Sequence, residues 1–184
     1  LVSTILVGAV DVPSAFATPT LSGTISTNES WTSTDSPVVT TGNLVVSGAE
    51  LTIESGVEAV LSDLTIQADA VLRIEPGAVV KLRAAKSISV SGELAAMGTN
   101  VEPVVITSVD DHSVGSATGD GNPADAAWGH LDFNTASVLS RIDQAEIRWG
   151  GDWVSPYNCS NTNTADLLDL YEQGMITYTS GSRL

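Results

Sequence analysis

The middle of the chain repeats one pattern of hydrophobic and polar residues. The segment 51–61, LTIESGVEAVL, returns at 72–82 as LRIEPGAVVKL, and a looser copy begins at Leu94. A fixed period of about 20–25 residues is typical of a solenoid, in which each turn of the chain stacks on the next. The repeat therefore predicts a stack of similar turns rather than a closed globular core.

Within each repeat the apolar residues alternate with polar ones. In 64–66 (LTI) and 72–74 (LRI) the outer residues are apolar and the middle one is polar, which is the period of a strand with one buried face. Glycine and proline fall between these runs, where corners are expected. The pattern predicts an all-β fold, namely a right-handed parallel β-helix of about 4–5 coils with three short strands in each coil.

The repeat divides the chain into four segments. Residues 1–17 are mostly apolar and have the form of an export signal or a cap, and 18–43 are predicted to be an extended lead-in. The β-helix is predicted over 44–151, and 152–184 are predicted to hold a loop and a short helix at 165–173 that acts as a cap or an interface. Because an open solenoid end exposes strand edges, we expect a homo-oligomer that self-associates through its ends.

Longer phrases of the sequence resemble a known group of proteins. The coil LRIEPGAVVKL (72–82), the loop and strand DDHSVGSATGDGNPADAAWGHLDF (110–133) and the strand EIRWGG (146–151) are similar to coils of secreted and cell-surface right-handed β-helix proteins of the pectin-lyase-like superfamily. The resemblance covers about residues 44–151. It implies a secreted or cell-surface location, and it implies either a passive surface module or an enzyme that cleaves polysaccharides.

Charge and cysteine content narrow the classes of function. The chain has 22 acidic and 7 basic residues and a formal net charge of −15. Such a surface repels phosphate backbones, which argues against nucleic-acid binding. The apolar N-terminal run is too short to span a bilayer, so we expect no membrane span. Cys159 is the only cysteine, which excludes an intrachain disulfide and argues against a cysteine-based zinc site.

The loop over 108–127 is the one clear insertion between coils, and it carries candidate metal ligands. Asp120, Asn122 and Asp125 place oxygen donors at short spacing around a glycine, which is how calcium loops gather their ligands. The alternative is a solvated, turn-rich loop whose Asp and Asn side chains bond their own backbone. Calcium is the one cofactor that the sequence suggests.

The same region also carries candidate catalytic groups. His112 lies between Asp111 and Ser113, and His130 lies two residues before Asp132. A histidine oriented by a carboxylate can act as a general base for a serine nucleophile. The alternative is that both histidines are simply exposed side chains of a loop or a strand edge.

Aromatic residues cluster after the loop. Trp128, Trp149, Trp153 and Tyr157 are candidates for a platform on which a sugar or ester substrate stacks. Alternatively they plug the end of the solenoid.

Two functional hypotheses follow from the sequence. The first is a structural and interaction module of an exported or cell-surface protein, with carbohydrate or another surface ligand as a candidate partner. The alternative is a hydrolase that acts on esters or polysaccharides, with its site between the 108–127 loop and the C-terminal aromatic residues.

Overall fold

The structure is a computed structural model. It describes residues 19–123, 127–133 and 139–150, together with the backbone of two further strands at 163–164 and 176–178. These residues form strands and turns without any helix, and so contain no helix long and apolar enough to cross a membrane. The predicted N-terminal cap (1–17) and C-terminal helix (165–173) lie outside the described residues.

The strands form three sheets that run the length of the stack. Sheet A has the order β1-β4-β7-β10-β13-β17, sheet B the order β14-β11-β8-β5-β2, and sheet C the order β16-β15-β12-β9-β6-β3. The strands are β1 (Gly23–Ile25), β2 (Glu29–Trp31), β3 (Val38–Val39), β4 (Leu44–Val46), β5 (Glu50–Ile53), β6 (Glu58–Leu61), β7 (Leu64–Ile66), β8 (Val71–Ile74), β9 (Val79–Leu82), β10 (Ile88–Val90), β11 (Glu93–Met97), β12 (Val104–Ser108), β13 (Leu131–Phe133), β14 (Arg141–Asp143), β15 (Ala145–Ile147), β16 (Asn163–Thr164) and β17 (Ile176–Tyr178).

Up to β15, consecutive strands enter different sheets, and every third strand returns to the same sheet beside its predecessor. All pairings up to β15 are parallel, and β16 joins sheet C antiparallel to β15. This is a β-solenoid with three strands in each turn, which confirms the predicted all-β solenoid. We number the successive sets of three strands as rungs, from rung 1 (β1–β3) to rung 5 (β13–β15).

The register stacks equivalent positions of the repeat on one another. Leu51 pairs with Leu72 and Leu72 with Leu94, while Ile53 pairs with Ile74. All five side chains are completely buried, whereas the polar residue between the two apolar positions of β7 and β8 is partly exposed. The predicted alternation is confirmed, and burial of these aligned apolar columns supplies the main favourable free energy of the stack.

The stack begins before the repeat becomes visible in the sequence. Strands β1, β2 and β3 pair in parallel with β4, β5 and β6, so rung 1 lies within the segment that the sequence suggested as a lead-in. Ile25 and Trp31 from this rung are buried in the core. Glu29 occupies the inward column of Leu51, and this acidic residue interrupts the apolar pattern.

The turn of the repeat requires glycine. Gly56 and Gly77 follow β5 and β8 with φ values of +72° and +74°, a backbone conformation that residues with a Cβ adopt at a cost. The two turns lie directly over each other, because a Cβ on Gly77 would lie 3.7 Å from the backbone nitrogen of Gly56. The ESG and EPG steps of the repeat therefore mark one corner of the solenoid.

Candidate functional site

The inserted loop crosses the outer face of sheet C. We call residues 109–123 the strap. Its hydrogen bonds and ion pairs reach Glu58 in β6, Lys81 in β9, Thr107 in β12 and Arg148 just after β15. Rungs 2, 3, 4 and 5 therefore each supply one contact residue for the strap.

The strap has two anchors, which we call near and far by their distance along the chain from β12. The far anchor is a buried ion pair between Glu58 and Lys81. Lys81 Nζ lies 3.4 Å from Glu58 Oε1, and it donates to the carbonyl oxygen of Ser116 at 2.5 Å. Glu58 in turn accepts the backbone N–H of Ser116 at 2.7 Å and its hydroxyl at 2.9 Å. The Lys81 side chain is completely buried and that of Glu58 is 10% exposed. Every group of this pair is therefore satisfied by the strap residue that covers it.

The near anchor is centred on Asp111, which is 2% exposed. Its Oδ2 accepts the hydroxyl of Thr107 at 2.8 Å, and its Oδ1 accepts the hydroxyl of Ser113 at 2.5 Å and the backbone N–H of Ser113 at 3.0 Å. Burial by itself raises the pKa of Asp111. The hydrogen bonds from Ser113 and Thr107 and the charge of Arg148 outweigh burial, so the net pKa lies below the ordinary value.

Arg148 closes the near anchor. Its Nη1 lies 3.5 Å from Asp111 Oδ2 and donates to Ser113 Oγ at 3.2 Å, and its Nη2 bonds Glu146. Its Nε is buried without a hydrogen-bond partner among the described residues. The guanidinium is therefore held between two carboxylates rather than open to solvent, a geometry suited to fixing the strap.

The structure separates the predicted catalytic groups of the strap. Ser113 donates to Asp111 and accepts from Arg148. His112 Nε2 bonds the carbonyl oxygen of Thr118 at 2.7 Å. Asp111 and Ser113 are therefore bonded to each other, whereas the histidine is bonded to the strap backbone instead of to the serine, and the described residues of the strap form no base–nucleophile pair.

His130 lies on a different face of the solenoid. It precedes β13, and its Nε2 lies 3.1 Å from Asp132 Oδ2, with side-chain exposures of 36% and 22%. Its backbone N–H donates to Ser87 Oγ at 3.1 Å. This open pair on sheet A combines a histidine with a carboxylate and a neighbouring hydroxyl.

The candidate calcium ligands make local backbone contacts. Asp120 Oδ1 accepts the backbone N–H of Asn122 at 3.0 Å, and the backbone N–H of Asp120 donates to Asp110 Oδ1 at 2.7 Å. Asp125 lies outside the described residues. Within the residues that the structure describes, no group of three or more His, Cys, Asp or Glu side chains is placed to hold a metal ion. Calcium binding by Asp120, Asn122 and Asp125 stays a prediction.

The aromatic residues are placed only in part. Trp128 is completely buried in the core, and its Nε1 donates to the carbonyl oxygen of Arg148 at 2.6 Å. Trp149 is partly exposed, with φ of +57°. Trp153 and Tyr157 lie outside the described residues. Trp128 is therefore a core residue, and both the substrate platform and the plug at the solenoid end stay predictions.

A polar groove lies at the corner between sheets B and C in rungs 4 and 5. It has a volume of about 460 Å³, within the range of ligand-binding clefts. Among the described residues, its lining contains neither histidine nor serine. The lining residues are Thr99, Asn100, Pro103, Ile142, Asp143, Gln144, Ala145 and Glu146.

Sequence reasoning missed the residues that hold the strap. Glu58, Lys81, Thr107 and Arg148 are separated along the chain and belong to four different strands or turns. One signal was visible, because Lys81 interrupts the apolar run VVKL of β9. A lysine flanked by valine and leucine is a candidate for burial against a partner carboxylate.

Comparisons with known proteins add no relative. No family model matches the chain, and searches of the curated proteins and of the solved structures found no match. Function is therefore inferred from the contacts of the strap and of the solenoid ends.

Proposed function

We propose that this chain is a structural and interaction module of an exported or cell-surface protein, a stiff β-solenoid that self-associates through its end. The observation that carries the proposal is the strap. Its serine, threonine and carboxylate groups form fixed bonds to four successive rungs, whereas a hydrolase needs a nucleophile and a base that face a substrate.

Export and surface location are part of the same proposal. The repeat resembles β-helix coils of the pectin-lyase-like superfamily, and the net charge of −15 suits a soluble, hydrated surface. Membership of that superfamily is likewise proposed. Its support is the three-stranded turn and the parallel stack described above.

The end formed by rung 5 is the expected surface for self-association. Strand β14 pairs with β11 on one side and is the last strand of sheet B among the described residues. Ile142 in this strand is partly buried against the core, and Arg141 and Asp143 beside it are exposed. No described strand pairs with the outer edge of β14, whereas β17 and β16 cover sheets A and C of this rung, and an unpaired strand edge can pair with a second chain.

The opposite end is better protected. Glu29 points inward at the edge strand β2, and its carboxylate accepts the backbone N–H and hydroxyl of Thr20 and the indole N–H of Trp31. An inward-pointing charge at an edge strand opposes pairing with another chain. We therefore assign self-association to rung 5 rather than to rung 1.

Sedimentation velocity of the full chain over a range of concentrations tests this assignment. The wild-type chain should form a dimer, and Ile142→Glu, which puts an inward charge on β14, should return it to a monomer. Thr65→Glu adds the same charge to the outer face of β7 and should leave the dimer intact. A wild-type chain that stays monomeric, or a dimer unaffected by Ile142→Glu, contradicts self-association at this end.

The His130–Asp132 pair favours a second candidate, a hydrolase for esters or polysaccharides. The pair has the spacing of a base and its orienting carboxylate, and Ser87, just before the neighbouring strand β10, accepts the backbone N–H of His130. Turnover of short-chain esters or neutral polysaccharides that His130→Ala abolishes, while His112→Ala retains it, would establish this activity. Absence of turnover by the folded wild-type chain on these substrates would remove this candidate.

A further inference from the structure

The outer face of sheet C carries buried valines as well as the charged and polar anchors of the strap. Val60 pairs with Lys81, and Val105 pairs with Val79. Val60 and Val105 both belong to the outward columns of the sheet rather than to the inner core. They are nevertheless only 3% and 5% exposed. Val39, the partner of Val60 in rung 1, is 42% exposed, and its position lies beyond the anchors of the strap. The two buried valines therefore lie in rungs that the strap crosses, where Val79 is partly exposed.

The strap lies very close to sheet C. Gly115 has φ of +62°, and a Cβ at this position would lie 2.9 Å from the carboxyl carbon of Glu58, closer than van der Waals packing allows. The backbone of the strap thus rests directly on the Glu58 carboxylate, which the bonds from Ser116 confirm. The strap makes this contact through its backbone and through short polar side chains. No large apolar residue of the strap takes part in these bonds.

Charge, rather than apolar packing, fastens the strap at both ends. At the far anchor the carboxylate of Glu58 faces Lys81, and at the near anchor the carboxylate of Asp111 faces Arg148. Between them, Asp110 accepts the backbone N–H of Asp120. Hydrogen bonds to an ionised carboxylate are stronger than those between neutral groups, so the bonds that Asp111 accepts are strongest while it is ionised.

We propose that the strap is an acid-released latch: ionised Asp111 holds it on sheet C through Thr107 and Arg148, and protonation of Asp111 lets it lift and uncover Val60 and Val105. A protonated Asp111 no longer attracts the Arg148 guanidinium, and it accepts fewer hydrogen bonds. The coils beneath are joined by backbone ladders and apolar columns, which do not depend on these charges.

The charged surroundings of the two carboxylates are defined by the elements that pack against them. Asp111 faces Arg148, and Glu146 lies on the other side of that guanidinium. Glu58 faces Lys81. The other titratable groups at the start of the strap are Asp110, whose side chain bonds the backbone of Asp120, and His112, whose side chain bonds the backbone of Thr118.

Hydrogen–deuterium exchange of the full chain, measured by mass spectrometry across a pH series, tests the latch. Exchange is corrected for its intrinsic pH dependence, and peptides within 109–123 are compared with coil peptides within 51–82. At neutral pH both sets should be protected. At a pH below the folded pKa of Asp111, which itself lies below the ordinary aspartate value of about 4, the strap peptides should lose at least about tenfold in protection while the coil peptides keep theirs. Binding of an apolar dye such as anilinonaphthalene sulfonate should rise at the same pH.

Three variants make the test specific. Asp111→Asn should loosen the strap at neutral pH, and Ser113→Ala, a milder change that removes one bond to Asp111 and one from Arg148, should do so by roughly tenfold. Asp69→Asn alters an exposed carboxylate on the turn after β7 and should have no effect. The latch is refuted if strap and coil peptides lose protection together, or if Ser113→Ala and any folded Asp111→Asn chain are as protected in the strap as the wild type.

Discussion

Lys81 offers the sharpest test of the forces that join the strap to the solenoid. Lys81→Met keeps most of the volume and the unbranched shape of the side chain but removes the ammonium group. The Glu58 carboxylate, 10% exposed, then loses its positive partner, and the carbonyl oxygen of Ser116 loses its donor. Fully buried lysines are rare unless they are paired, so a methionine at this position isolates the contribution of charge.

The magnitude follows from what each group retains. Removal of one member of a buried ion pair costs about 3–5 kcal/mol, because the remaining charge is left buried without compensation. Glu58 still accepts two bonds from Ser116, so we expect a loss near the lower limit, about 3 kcal/mol in the free energy of unfolding. The double variant Glu58→Gln/Lys81→Met should lose less than Lys81→Met alone, because it leaves no charge behind.

Equilibrium unfolding in urea, followed by circular dichroism, measures these differences. Lys86→Met is the matched control, since Lys86 Nζ lies 2.9 Å from Asp63 Oδ2 in a pair whose side chains are 38% and 36% exposed. Exposed pairs contribute less than about 1 kcal/mol, so the control should be almost unchanged. The reasoning is refuted if Lys81→Met costs no more than the control, or if the double variant is less stable than the single one. Coincident transitions from fluorescence and circular dichroism are needed, because solenoids can unfold in steps.

Two further predictions concern pH and calcium. The folded pKa of Asp111 lies below its unfolded value, so its contribution to stability is present above the unfolded pKa and is lost as the pH falls through the folded pKa. The free energy of unfolding of Asp111→Asn, measured in urea, should therefore depend less on pH in the acid range than that of the wild type. The same pH dependence for both chains would contradict this. If Asp120, Asn122 and Asp125 bind calcium, calcium should raise the melting temperature of the wild type by mass action, and Asp120→Ala should remove this rise. Equal melting temperatures of the wild type in calcium and in chelator would exclude the site.

The solenoid could be predicted because its information is local and repeated. Each strand shows its buried face through period-two alternation, and the recurrence of LTIESG as LRIEPG is enough to align Leu51 with Leu72. The strand register confirms that alignment. The glycine of the same phrase marks the corner, since its backbone conformation is unfavourable for other residues.

Rung 1 could not be recognised by the same rule. Its inward column begins with Glu29 instead of an apolar residue, and β3 has only two residues. The carboxylate is acceptable there because Thr20 and Trp31 donate to it. Those partners are brought together by the fold, so the segment appears in the sequence only as a polar stretch before the repeat.

The burial of Lys81 under the strap could not be predicted from the sequence pattern. Alternation along β9 puts Lys81 on the outer side of sheet C, where a lysine is ordinarily solvated. Its burial depends on the path of a loop whose Ser116 lies 58 residues from Glu58 along the chain, and no periodic pattern specifies that path. The buried pair and the strap depend on each other, since the strap supplies bonds to Lys81 and Glu58 and their charges help to hold it on the sheet. A lone lysine within an apolar strand, together with an inserted loop rich in serine and glycine, is therefore a joint signal for a covered sheet face, although neither feature is informative separately.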